Sequence, residues 1–253
     1  MSEYFREKRS LRKYAFFTAY VLLYIIFFEF IVPSGWVLPK PSLVLEAIPS
    51  LQVHYGLLIN VLYTVSGIYL SMVLSYGVVW LLRVQLIGAF LRWKDFPDSI
   101  RLFKYFTAIS FLTIYVYWFP VSNLSEILLT FLISLIYLLN NLSSGVHTVN
   151  RAYIEPFLPL KKEDSFLYKN IYWKSLKPAL FNSLERLNIY LWTVVTLFEF
   201  VKGYMGIGNI YRLALSFMDL SGLWAVSIIL AVIVALGGLV IKLLKRKVIT
   251  WET

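Results

Sequence analysis

The chain contains no cysteine, which excludes disulfides, thiolate metal sites and cysteine nucleophiles within it. Histidine is almost as scarce, with His54 and His147 the two present. They fall on opposite sides of the membrane in the topology derived below, so they share no metal and read as structural or incidental. There is no phosphate-cradling G-x-x-x-x-G-K-[ST] sequence, no H-E-x-x-H and no G-x-S-x-G, so the chain carries no recognisable catalytic engine. It also lacks internal repeats and low-complexity tracts.

Apolar length is what it has in abundance. Of 253 residues, 59% are hydrophobic and the mean hydropathy is +0.71. That is more apolar surface than a single water-exposed core can bury. A bilayer core of about 30 Å takes roughly 20 apolar residues of helix. Six stretches meet or approach this: Tyr14 to Val32, Leu57 to Leu82, Tyr105 to Phe119, Leu124 to Leu142, Leu180 to Val201 and Leu223 to Leu244. The third is the shortest.

A net charge of +10 would suit nucleic acid if the basic residues formed one soluble patch. Instead they sort by membrane side. With the amino terminus in the cytoplasm, the inside segments hold 21 of the 24 Lys and Arg, leaving Lys40, Lys202 and Arg212 outside. The positive-inside rule then places both termini in the cytoplasm. The first span lacks a small-residue cleavage site and runs into Pro33-Ser34-Gly35-Trp36, which reads as a retained helix rather than a signal peptide.

These features predict an all-α polytopic membrane protein of about six transmembrane helices. Residues 1–13 form a basic cytoplasmic tail, 14–32 a peripheral first helix, and 33–253 the core, which includes a cytoplasmic loop at 145–178. That loop far exceeds the few residues a helical hairpin needs, and it is where a soluble partner is expected to dock. Pro156 and Pro159 punctuate its start and Pro178 its end. A short helix is predicted from Pro159 through Tyr168, with Leu160, Leu167 and Tyr168 sharing a face and Lys161, Lys162, Glu163 and Asp164 in water. A helix of about ten residues is marginal alone, so packing must hold it, on its own spans or in a partner's groove.

Ionisable groups inside spans are costly and often functional. Glu29 and Glu199 lie near the outer ends of their helices, where a carboxylate reaches water, hydrogen-bonds a neighbouring helix or serves a gate. Glu185 and Arg186, one turn into the fifth span, are expected to pair locally. Asn60, Thr64 and Ser71 in the second span, and Asn182, Asn188, Thr193 and Thr196 in the fifth, suit either a translocation path or helix–helix glue. The aromatic content of 18% fits interfacial belts and packing.

Three segments resemble the inner-membrane permeases of type I ABC importers, in the branch serving nitrate, sulfonate, taurine and thiamine-precursor uptake. Leu38-Pro39-Lys40-Pro41-Ser42-Leu43-Val44-Leu45 is similar to the L-P-x-P-x-x-V-L sequence before the core in that branch. Gly206-Ile207-Gly208 after Glu199 resembles the family's G-L-G segment. The closing Leu243 to Trp251 resembles its basic tail ending in Trp. The family's E-A-A-x-x-x-G loop falls on Glu155-Pro156-Phe157-Leu158-Pro159-Leu160-Lys161, followed by Leu167-Tyr168 and Leu176-Lys177-Pro178-Ala179. Pro156 and Phe157 stand where the alanines belong, and Lys161 replaces a glycine whose freedom permits a tight turn.

The resemblance implies the permease fold and no catalytic site of the chain's own. ATP and Mg would be held by partner ATPases. Its implied partners are a second permease, identical or different, two cytoplasmic ABC ATPases, an extracytoplasmic solute-binding protein and membrane lipid, with no nucleic acid. It implies that Glu155, Leu160, Lys161, Asp164, Leu167 and Tyr168 couple to the ATPase. Asn60, Thr64, Asn188, Thr193 and Thr196 would line the path, and Glu199, Gly206 and Gly208 would shape an outer gate or binding-protein dock. The departures at Pro156, Phe157 and Lys161 leave a second reading open, a non-transporting membrane scaffold that anchors a soluble partner.

Overall fold

The computed structural model describes residues 16, 18–20, 22–31, 38–93, 99, 108–120, 122–149, 155 and 164–249. Helix makes up 90% of it, and no strand occurs among the described residues. The chain divides into two units, residues 1–57 with 210–229 and residues 58–209 with 230–253.

In the smaller unit an apolar helix runs Thr18–Phe30, and its last turn widens to a π turn, Phe27–Ile31. Helix α1 (Pro41–Tyr55) begins on a proline, whose missing N–H costs nothing at a first turn. Its end is set by Gly56, which takes the left-handed conformation at φ 60° that glycine adopts without a Cβ clash.

The larger unit holds α2 (Leu57–Leu81), α3 (Arg83–Arg92), α4 (Ala108–Trp118) and α5 (Asn123–Val146). Next come α6 (Asp164–Leu167), a π turn (Tyr168–Tyr172) and α7 (Trp173–Lys202). Two further helices, α8 (Ile207–Ser216) and α9 (Leu220–Val248), cross the division between the units. Helix α5 opens on a capping box in which Ser122 and Ser125 each accept the other's backbone N–H. Asp219 starts α9 in the same spirit, accepting the Gly222 N–H at 2.8 Å.

Helices α2, α5 and α9 are long and apolar enough to cross a bilayer, the signature of a membrane protein. Helix α7 does not join them, because its sequence carries Glu185, Arg186, Glu199 and Lys202 among its apolar residues. The predicted second and fourth spans match α2 and α5 closely, and α9 extends the sixth by a few residues at each end. Of the predicted third span, Ala108–Trp118 is described as helix.

Packing in the larger unit rests on small residues that let backbones approach. Gly67, Ser71 and Ser75 recur every four residues on α2 and are buried. The Ser71 hydroxyl donates to the Ile127 carbonyl of α5 at 3.0 Å, and Gly67 faces the Glu126 side chain. Close approach sealed by hydroxyls is how helices adhere where lipid offers no hydrophobic drive. Leu129, Leu138 and Leu142 of α5 and Leu187 and Leu191 of α7 are fully buried in this core. Many large apolar side chains elsewhere remain exposed, among them Leu58, Leu62 and Val73 of α2, as expected of a surface that lipid or other chains cover.

The predicted helix Pro159–Tyr168 is corrected in part. Residues 156–163, including Leu160 and Lys161, lie outside the described residues. From Asp164 the backbone is helical without interruption to Lys202, and Pro178 sits inside α7 rather than marking a loop's end. An internal proline forfeits one hydrogen bond, to the carbonyl four residues earlier. Here that residue is Lys174, which is exposed, so water is available to serve the carbonyl.

Candidate functional site

The densest group of buried polar side chains gathers where α2, α5 and the end of α7 meet the start of α8. Glu199, only 1% exposed, accepts the Thr64 hydroxyl at 2.6 Å and the Gly208 N–H at 2.8 Å. Thr64 in turn accepts the Ile207 N–H at 3.0 Å, and Asn60 accepts the Gly206 N–H at 2.7 Å. Three successive N–H groups at the start of α8 are thereby satisfied by side chains of α2 and α7. A helix start presents unsatisfied donors and the positive end of its dipole, so a carboxylate is its natural complement.

The glycines are there because nothing else fits. Gly206 has φ 98°, and a Cβ on it would strike the Glu199 carboxyl. A Cβ on Gly208 would meet the Thr196 carbonyl oxygen and approach the Phe200 nitrogen to 2.6 Å, which are backbone atoms that cannot swing aside. Gly203, at φ 62°, ends α7 and donates to the Glu199 carbonyl at 2.8 Å. Thus Glu199 does not reach for water, as its place near a helix end suggested; its carboxylate is consumed inside the protein.

Glu29 repeats the device in the smaller unit. Its carboxylate accepts the Ser42 N–H at 3.2 Å and the Ser42 hydroxyl at 2.9 Å, bracing the first turn of α1. Both carboxylates predicted at outer helix ends therefore hold the start of a following short helix.

A second buried carboxylate in the larger unit had no place among the predicted residues. Glu126, in the first turn of α5, is 3% exposed and near enough to Glu199 for their charges to interact. The Tyr63 side chain lies close to its carboxyl group, and Oε1 has no hydrogen-bond partner. The signal for Glu126 was present in the sequence, an ionisable residue inside an apolar run.

The predicted path residues divide. Asn60 and Thr64 belong to the α8 bracket. Asn188, fully buried, accepts the Tyr69 hydroxyl at 3.0 Å and donates to the Val234 carbonyl at 3.1 Å, tying α2, α7 and α9 together. Gly237 clears room for this, because a Cβ there would collide with the Tyr69 hydroxyl. Thr196 Oγ1 is buried without a partner. Thr193 lies on the exposed face of α7, its hydroxyl turned back to the Ile189 carbonyl at 3.3 Å, and Asn182 is exposed and accepts from Lys245 at 2.9 Å. Glue therefore accounts for Asn60, Thr64, Ser71 and Asn188, whereas Asn182 and Thr193 face outward.

Of the predicted coupling residues, Glu155 is exposed. Asp164 opens α6 and pairs with Arg92 of α3 at 3.3 Å, both side chains being largely exposed. Leu167 is half-buried. The Tyr168 ring lies over Gly88 of α3, where an added Cβ would stand 3.2 Å from it, and meets Tyr172 edge-on at 6.0 Å. The helical segment is held by its own chain. No ion pair among the described residues joins Glu185 to Arg186, since consecutive helical residues diverge by about 100°.

No protein-family model matches the chain, and no curated protein matches it.

Proposed function

We propose that this chain is the membrane permease subunit of an ATP-driven importer, pairing with a second permease and taking its energy from cytoplasmic ATPases. The observation that carries the reading is the helical rod from Asp164 to Lys202, made of segments of 4, 5 and 30 residues. At 1.5 Å per residue its length is about 58 Å. One end is the segment that resembles a coupling helix; the other bears Glu199, which holds the start of α8. The helical backbone thus runs continuously, through the π turn and Pro178, from Asp164 to the Glu199 brace on the turn at Gly206 to Gly208.

In this reading ATP closes the ATPase pair, the rod tips, and the path between two permeases exchanges inward for outward access. Each ligand shifts that equilibrium only by its differential affinity for the two states. The resemblance favours a small organic or inorganic anion, or a small heterocycle, delivered by a binding protein.

The test is purification of the tagged chain in mild detergent, with ATP hydrolysis measured on what accompanies it. The expected result is an ATPase that the Leu160→Asp/Leu167→Asp variant loses. An intact, monodisperse preparation with no ATPase supports the scaffold reading, which Lys161 at the glycine position and the seating of Tyr168 on the chain's own α3 both favour.

A further inference from the structure

The basic ends of α7 and α9 form a slot that the transport reading leaves unused. The Lys245 ammonium donates to the Asn182 side-chain oxygen at 2.9 Å, and farther along Asn188 donates to the Val234 carbonyl. Numbers rise along α7 as they fall along α9, so the two helices run antiparallel. Arg186 follows Asn182 by four residues and Lys242 precedes Lys245 by three. Each therefore lies one turn from the bridge, on the bridge's side of its helix and displaced in the same direction. That direction is toward the apolar body of α9, where its charged end gives way to the run ending at Ile241.

Both cations are exposed, and no ion pair among the described residues engages either of them or Arg246 or Lys247. The acidic residue on this stretch is Glu185, next to Arg186. One turn from the cations on the same faces, Ile189 of α7 and Leu239 of α9 are more than half exposed.

We propose that Arg186 and Lys242 bind the phosphate of an anionic phospholipid, whose acyl chains lie along Ile189 and Leu239. Two cations at the end of an apolar helix meet a bilayer at its headgroup level, where each Lys or Arg attracts anionic lipid. The exposed apolar flank is what distinguishes a lipid from a free phosphate, which has no use for it. An acidic protein surface would meet Arg246 and Lys247 first, because they lie beyond the bridge on the polar side. The proposal depends on the chain's membrane character and is independent of transport.

The test titrates the detergent-purified chain with dihexanoyl-phosphatidylglycerol by calorimetry, using dihexanoyl-phosphatidylcholine as the neutral reference. Arg186→Gln/Lys242→Gln should weaken phosphatidylglycerol binding by about 10- to 30-fold. Arg186→Lys/Lys242→Arg should retain binding, which separates loss of the slot from loss of fold. Lys169→Gln/Lys174→Gln removes the same charge outside the slot and should change affinity by less than about twofold. Equal losses in the two Gln variants would overturn the slot in favour of a diffuse basic field. Glycerol phosphate binding as tightly as the lipid would overturn the lipid assignment. An accompanying protein lost from Arg186→Gln/Lys242→Gln while phosphatidylglycerol affinity stays unchanged would assign the slot to that protein instead.

Discussion

Removing the Glu199 carboxylate should separate its structural role from that of charge alone. In Glu199→Ala, the Gly208 N–H loses its acceptor in a site only 1% exposed. An unmet buried donor costs about 1–3 kcal/mol, and the space left by the missing side chain adds about 1–2 kcal/mol more. The total is about 2–5 kcal/mol. Thr64 suffers less, because its hydroxyl has a second acceptor in the Asn60 carbonyl at 3.1 Å.

That same alternative makes Glu199→Gln mild. The amide oxygen still accepts from Gly208, the amide N–H donates to Thr64, and the Thr64 proton turns to Asn60, for a cost of about 1 kcal/mol. The assay is unfolding in mixed micelles by added dodecyl sulfate, followed by tryptophan fluorescence. If Glu199→Ala costs no more than Glu199→Gln, or both fall within about 0.5 kcal/mol of the parent, the carboxylate is not what holds the start of α8.

Gly208→Ala should destabilise by about 1–3 kcal/mol in the same assay, whereas Gly77→Ala, with open space around its Cα and a helical backbone, should be neutral or stabilising; a reversed order would refute the close-approach argument. Lys202→Met removes the ammonium that caps the Val116 and Phe119 carbonyls at 3.0 and 2.7 Å. Amide exchange at the end of α4 should then rise about tenfold, and unchanged exchange would deny Lys202 that role. Arg92→Ala breaks an ion pair whose side chains are 68% and 62% exposed, so stability should move by less than about 0.5 kcal/mol; a loss above about 1 kcal/mol would mark the pair as more than a surface contact. Burial raises the phenol of Tyr211 above its ordinary 10.0, so the folded chain keeps that proton after the unfolded chain has released it. Stability from this group is complete below about pH 10 and falls as the pH rises beyond it, and Tyr211→Phe should flatten that alkaline decline; an unchanged slope would count against it.

The spanning helices were legible because a continuous apolar run is a local signal. Leu57 to Leu82 and Leu124 to Leu142 needed no knowledge of anything distant. The rod was harder, since Pro178 reads as punctuation in a sequence, and only the surrounding helix shows that a single forfeited bond is tolerated at a polar end. Glu29 and Glu199 were legible as costly groups, and a hydrogen bond to a neighbouring helix was among the readings weighed. Their partners were hidden for a physical reason, because the acceptor geometry of a carboxylate depends on where the chain returns, 135 residues away in the case of Thr64. Glu126 was missed although its position inside an apolar run announced it. Asn188 and Thr64 show the limit of residue type alone, as the same polar side chain suits a pore or a seam until its hydrogen bonds are seen.

The two carboxylate braces also differ in when they can close during synthesis. Glu29 and Ser42 are 13 residues apart, so α1 is secured while most of the chain is still on the ribosome. The brace on α8 joins Thr64 to Glu199 across 135 residues and needs Gly208 as well. It forms only after α7 has been made and has found α2, which makes it a late checkpoint of assembly. A chain halted before Gly208 would leave Glu199 without one of its two hydrogen-bond donors.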